Sequence, residues 1–154
     1  MIKKAVFFIL FLILLIGCSS ANDADTQIEI DLNKYYGAEV YVNHEDHIES
    51  KFLRGINDTY DVIQTLNKVS KEESKDSFNL QKWDYIVVLG EKLEPVNNNE
   101  DIYFAADSNK LVIFIQGNQI KIDDKFVVTS DNITENFKRL YEQFNYEPRV
   151  WEKY

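Results

Sequence analysis

Leu111-Val112-Ile113-Phe114-Ile115-Gln116-Gly117-Asn118-Gln119-Ile120-Lys121-Ile122 is a pair of short apolar runs joined by Gly-Asn. Both joining residues tolerate a positive φ, which a tight two-residue hairpin turn requires. In the second run Ile120 and Ile122 alternate with polar neighbours, the period-two pattern of a strand with one buried face. A hairpin here makes the sheet antiparallel, and the flanking sequence agrees. Downstream, Asp123-Asp124 separates this hairpin from a β-prone run at 126–129. Upstream, Asp107-Ser108-Asn109-Lys110 separates it from another at 102–106. Spacers this short leave no room for crossover helices, so the section reads as an antiparallel meander.

Further upstream, residues 82–89 place Trp83, Tyr85, Val87 and Leu89 on one face and Ile86 and Val88 on the other. A strand apolar on both faces belongs inside a sheet. Residues 91–101, with Pro95 and three consecutive asparagines, read as a polar connection. Residues 27–32 alternate Ile28, Ile30 and Leu32, and residues 39–43 turn Val40 and Val42 inward, so both read as strands. After Asn57-Asp58-Thr59 a helical run carries Ile63, Leu66 and Val69, with Tyr60 one turn earlier. Asp58 is the expected N-cap, and Asp61 lies in the first turn. Residues 71–80 show no apolar pattern and read as a charged loop. At the far end Ile133, Phe137, Leu140, Tyr141 and Phe144 form one helical stripe, with Lys138 and Arg139 facing solvent. Asn132 followed by Glu135 has the spacing of a capping box. Pro148 stops the helix, and in the tail at 149–154 Val150 and Trp151 are expected to dock. The order predicts an α+β fold: an antiparallel sheet of about five to six short strands with two helices packed on one face.

With 154 residues the chain accommodates one ordinary domain, here placed at 27–154. A domain of that size buries roughly two-thirds of the surface its unfolded chain exposes. Cys18 is the single cysteine, so no internal disulfide forms and stability must come from packing. The net charge is −9, and loss of Lys3 and Lys4 with the leader takes it to −11. An acidic body without a basic patch is repelled by phosphate backbones and anionic headgroups, which argues against nucleic acid as a partner. A cationic peptide or protein suits the balance.

Lys3-Lys4 and twelve uninterrupted apolar residues, 5–16, open the chain. As a helix that run spans about 18 Å, short of the roughly 30 Å hydrocarbon core, and suits a signal-peptide core segment. It ends in Leu15-Ile16-Gly17-Cys18. This tetrapeptide resembles the lipobox of bacterial lipoproteins: an aliphatic residue, a tolerant position, a small residue and a cysteine. A thiol is the nucleophile suited to thioether formation with a diacylglyceryl group, and glycine lets a peptidase approach the following bond. The resemblance implies cleavage after residue 17, lipid on Cys18, a polar tether at 18–26, and attachment to the extracytoplasmic face of the cell membrane. Residues 82–144, through Lys-Trp-Asp-Tyr-Ile-Val-Val-Leu, Leu-Val-Ile-Phe-Ile-Gln-Gly-Asn-Gln-Ile-Lys-Ile and the terminal helix, look like small lipoproteins of low-GC Gram-positive bacteria, a group without an assigned activity. The stretches at 44–54 and 91–101 are longer than that pattern leads one to expect.

Candidate chemistry is sparse. His44-Glu45-Asp46-His47 with Glu49 nearby combines imidazole and carboxylate, the donors of a divalent-metal site. The second histidine is three residues on, not the four of the zinc-protease helix, and a solvated charged loop is the expected reading. No metal site and no cofactor are therefore expected. Asp107-Ser108-Asn109 begins like a calcium loop, but Leu111 occupies a ligand position. Glu72-Glu73, Glu100-Asp101 and Asp123-Asp124 are sequence neighbours whose side chains diverge. The chain has no Gly-rich phosphate loop and no nucleophile elbow, and lipidation consumes Cys18. Tyr35, Tyr36, Trp83, Tyr85, Tyr103, Trp151 and Tyr154 are expected to build core, with stacking on sugar rings or a partner as the alternative. The sum points to a non-enzymatic, lipid-anchored binding or accessory module that meets an extracytoplasmic protein or cationic peptide, an immunity or exclusion lipoprotein being one form. A metal- or wall-carbohydrate-binding lipoprotein is the alternative.

Overall fold

Alternation along β-prone segments sorts side chains onto two faces, and here the two faces meet different fates. The computed structural model describes residues 29–68, 71–73, 78–95, 102–122, 125–129 and 132–153, with backbone alone for 71–73 and 125–129. In chain order the elements are β1 (Gly37–Asn43), β2 (His47–Leu53), α1 (Ile56–Lys68), β3 (Lys71–Glu73), β4 (Tyr85–Gly90) and β5 (Leu93–Pro95). They continue with β6 (Ile102–Phe104), β7 (Lys110–Gln116), β8 (Gln119–Ile122), β9 (Lys125–Thr129), α2 (Ile133–Gln143) and β10 (Arg149–Glu152). Eight strands form one sheet in the order β10-β2-β1-β4-β7-β8-β9-β3, and β5 pairs with β6 in a separate ribbon. All of the pairings are antiparallel.

Val40 pairs with Val87, and Val87 with Ile113, so their side chains share a face with Ala38, Leu89, Ile115, Ile120 and Ile122. Both helices close on this face. From α1 come Val62, Ile63 and Leu66; from α2 come Ile133, Phe137 and Tyr141. Full burial of each aliphatic or aromatic side chain contributes about 1.5–3 kcal/mol, so this layer dominates stability. The α+β architecture expected from the sequence is thus the one observed, with both helices on one side. The internal position of β4, the Gly117-Asn118 turn with Gly117 at φ +56°, and the Asn132 cap accepting from the Glu135 N–H also agree.

Several local expectations are corrected. Residues 29–32, the described part of the run at 27–32, are not strand. Asn67 of α1 accepts from the Ile30 N–H at 3.0 Å and donates to its carbonyl at 2.9 Å, supplying what a neighbouring strand otherwise would. The charged-loop reading of His44 to His47 with Glu49 fits only the turn at 44–46: residues 47–53, inside the stretch at 44–54, are β2, paired on both sides. Residues 71–73 are β3 on the sheet edge, not loop. The polar connection at 91–101 contains β5, which lifts residues 102–104 out of the meander. Asp58 lies inside α1, which starts at Ile56; its carboxylate accepts from the Tyr146 hydroxyl at 2.5 Å. Tyr60 is exposed, and Thr59 takes the inward position instead. The tail docks as β10 through its backbone, leaving Val150 and Trp151 exposed. Residues 1–28 and the positions of Val69, Asp123-Asp124, Glu100-Asp101 and Tyr154 lie outside the described residues. Among the described residues no helix is long and apolar enough to cross a membrane.

Candidate functional site

The β1–β2 connection is short enough to press its side chains together. The His44 N–H donates to the His47 carbonyl at 3.0 Å and closes the turn. The two imidazoles then lie across it, stacked with centroids 4.4 Å apart and planes 20° apart. His47 and Glu49 are two apart on β2 and so share the face that bears the helices. Glu49 Oε2 lies 4.0 Å from His44 Nε2. One potential ligand atom from each of His44, His47 and Glu49 lies within 4.8 Å of the other two. His44 is exposed; His47 and Glu49 are partly covered.

Each member of the cluster is held from outside it. Asp46 Oδ1 accepts from His47 Nδ1 at 2.6 Å. That hydrogen bond, ahead of smaller contributions, holds the Asp46 carboxyl below its ordinary range. The Tyr141 hydroxyl donates to Glu49 Oε1 at 2.7 Å. Burial first, and then the adjacent carboxylate, push the Tyr141 phenol far above its usual value, so it remains a donor. The Lys153 N–H donates to the Asp46 carbonyl at 3.1 Å and its ammonium to the His44 carbonyl, so the end of β10 straps the turn. Lys51, two residues beyond Glu49, donates to the carbonyls of Tyr141 (3.1 Å) and Phe144 (2.9 Å) at the C-terminus of α2.

The face opposite the helices is only partly covered. Gly37 and Gly90 are paired, and the space a Cβ would need on each is taken by Leu93 and Phe104 of the β5–β6 ribbon. Phe52 packs its ring against Tyr103 and Phe104 there. Beside the ribbon, Glu39 is buried, accepts from the Ser50 hydroxyl at 2.8 Å and faces Arg149 Nη1 at 3.8 Å. The Arg149 guanidinium lies 4.5 Å from the centre of the Tyr103 ring. Beyond these, Ile86, Val88, Val112 and Phe114 form a half-buried apolar strip, with Phe78 meeting Phe114 edge-on. Trp151, exposed, approaches Tyr41 at 6.0 Å between centroids.

The aromatic residues singled out by the sequence therefore divide. Tyr35 and Tyr85 are core, Trp83 and Tyr103 are partly covered, and Tyr36 and Trp151 are exposed. The Asp107-Ser108-Asn109 segment is a turn in which Asp107 pairs with Lys92 and Asn109 donates to Glu91. Sequence reasoning treated His44 to Glu49 as loop and so missed Tyr141 as a partner. Residues 48–53 mix polar and apolar side chains on both faces, and no local signal links Glu49 to a hydroxyl 92 positions away. Cys18 lies outside the described residues. No family model, curated protein or solved structure matches the chain.

Proposed function

We propose that the chain is an extracytoplasmic lipoprotein anchored by a thioether lipid on Cys18, whose domain is a non-enzymatic binding module for a cationic protein or peptide close to the membrane. The observation that carries this reading is the succession Lys3-Lys4, an apolar run at 5–16 and Leu15-Ile16-Gly17-Cys18. Two acyl chains give durable attachment where a single one is marginal. The polar residues 19–26, even fully extended, reach at most about 29 Å, so the domain stays beside the bilayer. Confinement raises its effective concentration towards membrane-proximal partners, and a modest binding surface suffices.

Support for the binding half comes from the apolar strip Ile86, Val88, Val112 and Phe114, set in a chain of net charge −9. An apolar strip on a chain of net negative charge suits an amphipathic segment whose polar residues are Lys or Arg. Two experiments test the halves separately. Replacing Cys18 by Ala is expected to abolish acyl labelling and release the protein from the membrane fraction; unchanged retention sinks the anchoring claim. A photo-crosslinking residue at Phe114 of the anchored protein is expected to give a reproducible adduct with a basic polypeptide, weakened by salt and by Ile86→Asp. An adduct pattern no different from that of a crosslinker at Lys138, on the exposed side of α2, overturns the binding claim.

A further inference from the structure

We propose that His44, His47 and Glu49 form a binding site for a divalent transition-metal ion of the zinc class. The donor set is two imidazole nitrogens and one carboxylate oxygen. That mixture favours zinc and its neighbours over calcium or magnesium, which take oxygen donors, and over copper(I), which takes sulfur.

The contacts around the cluster select one donor atom per residue. His47 gives its Nδ1–H to Asp46, which leaves the Nε2 lone pair free for a metal. Glu49 has Oε1 occupied by the Tyr141 hydroxyl and Oε2 turned towards His44 Nε2. Carboxylate–histidine–metal and donor–carboxylate–metal relays of this kind orient ligands and raise their basicity. Donors on a single zinc at about 2.0–2.1 Å sit roughly 3.3 Å from one another. The present spread of up to 4.8 Å is wider, so the stacked rings must fan apart and close on the ion. His44 is exposed, which gives its ring room to do so. Three protein ligands leave the fourth position to water or a ligand, so this is an exchangeable site and not a closed structural one.

The strap from β10 gives the site a second readout. The Lys153 N–H and ammonium bind the carbonyls of Asp46 and His44, the residues that frame the ligating side chains. A metal that fixes the turn therefore also steadies the end of β10.

The test uses the complete lipidated chain in detergent, free of any histidine tag. Equilibrium dialysis against zinc with metal analysis is expected to give one saturable ion per chain, undisturbed by excess magnesium. Cobalt(II) titration should give the visible absorption of a low-coordinate site. His44→Ala and His47→Ala should each weaken binding at least about tenfold, and Asp46→Asn about 10–100-fold. Glu45→Gln, a neighbour outside the cluster, should bind as the parent does. Circular dichroism and thermal unfolding without metal verify that the variants fold, and zinc should slow amide exchange at Lys153 in the parent and Glu45→Gln chains but not in the histidine variants. A parent chain with no saturable zinc, or a His44→Ala/His47→Ala double variant that binds as the parent does, overturns the proposal. Neither outcome bears on Cys18 or the apolar strip.

Discussion

Lys51 is a charged side chain turned towards the helix-bearing face, and its position is explained by what it finds there. The last turn of α2 contains no basic residue of its own, and its terminal carbonyls keep acceptor capacity, the Tyr141 carbonyl taking a single backbone bond from the Phe144 N–H at 3.3 Å. Lys51 supplies both needs, donating to two of those carbonyls while its ammonium lies 4.4 Å from the centre of the Tyr141 ring. Lys51→Met keeps the stem and removes the cap, and is expected to cost about 1–2 kcal/mol. Urea unfolding should show a lower midpoint with an unchanged slope. None of this could be read from the sequence, where Lys51 stands in a run of charged residues and α2 begins some 80 positions later. Asp84 has a similar role at the other end of the helix. Its Oδ2 accepts from the Gly117 N–H at 2.7 Å and the Thr134 hydroxyl at 3.0 Å, tying β4 to the hairpin turn and to the start of α2.

The β5–β6 ribbon shows how a small element finds its place. Three-residue strands have too little periodicity to announce themselves, and β5 contains a proline. The ribbon sits where it does because the opposed glycines Gly37 and Gly90 leave a bare patch on the sheet, which Leu93 and Phe104 fill. Gly90→Ala puts a methyl into the space of the Phe104 ring and is expected to destabilise by about 1–3 kcal/mol, measured by chemical denaturation. Combining it with Phe104→Leu should recover part of that loss, and a Gly90→Ala chain as stable as the parent would show that the ribbon does not pack there. The longer elements were easier to read. The stripe on α2 has four apolar positions at helical spacing with Phe144 at the C-cap as a fifth, and β4 is apolar on both faces, so their inward placement follows from pattern alone. β2 hid because Glu49 and Lys51 occupy inward positions that usually carry apolar side chains. Their partners, the Tyr141 hydroxyl and the α2 carbonyls, are supplied by a distant part of the chain.

The assembled fold covers three phenols, Tyr85 and Tyr141 on the helix-bearing face of the sheet and Tyr41 on the opposite face, and this gives the molecule an alkaline limit. Tyr85 is raised from 10.0 to about 12 by burial first and then by Asp84, Glu135 and Glu142, and Tyr41 and Tyr141 are raised further, again chiefly by burial. The unfolded chain therefore gives up these protons at lower pH than the folded one. The corresponding stability is fully present below about pH 10, the unfolded phenol value, and is lost as the pH rises through the folded values. Urea midpoints measured between pH 8 and pH 12 should accordingly be flat with respect to these phenols up to about pH 10 and fall beyond it. Tyrosine absorbance in the folded protein should lag behind that of the chain in denaturant. Coincident titrations of the folded and unfolded protein would contradict the burial assigned to these residues.

Local pattern was enough to establish that the chain is α+β, that its sheet is antiparallel and that the helices share one face, because each of these follows from periodicity, turn residues and spacer length. The leader and the Leu-Ile-Gly-Cys tetrapeptide, likewise contiguous, carry the expectation of a lipid anchor. Only the tertiary arrangement could bring His44, His47 and Glu49 into one cluster, give Glu49 a hydroxyl partner on α2 and strap the turn with Lys153. The β1–β2 hairpin is local, but the strand β10 that straps it and the helix that partners Glu49 come from about 100 positions away, beyond the reach of any local pattern.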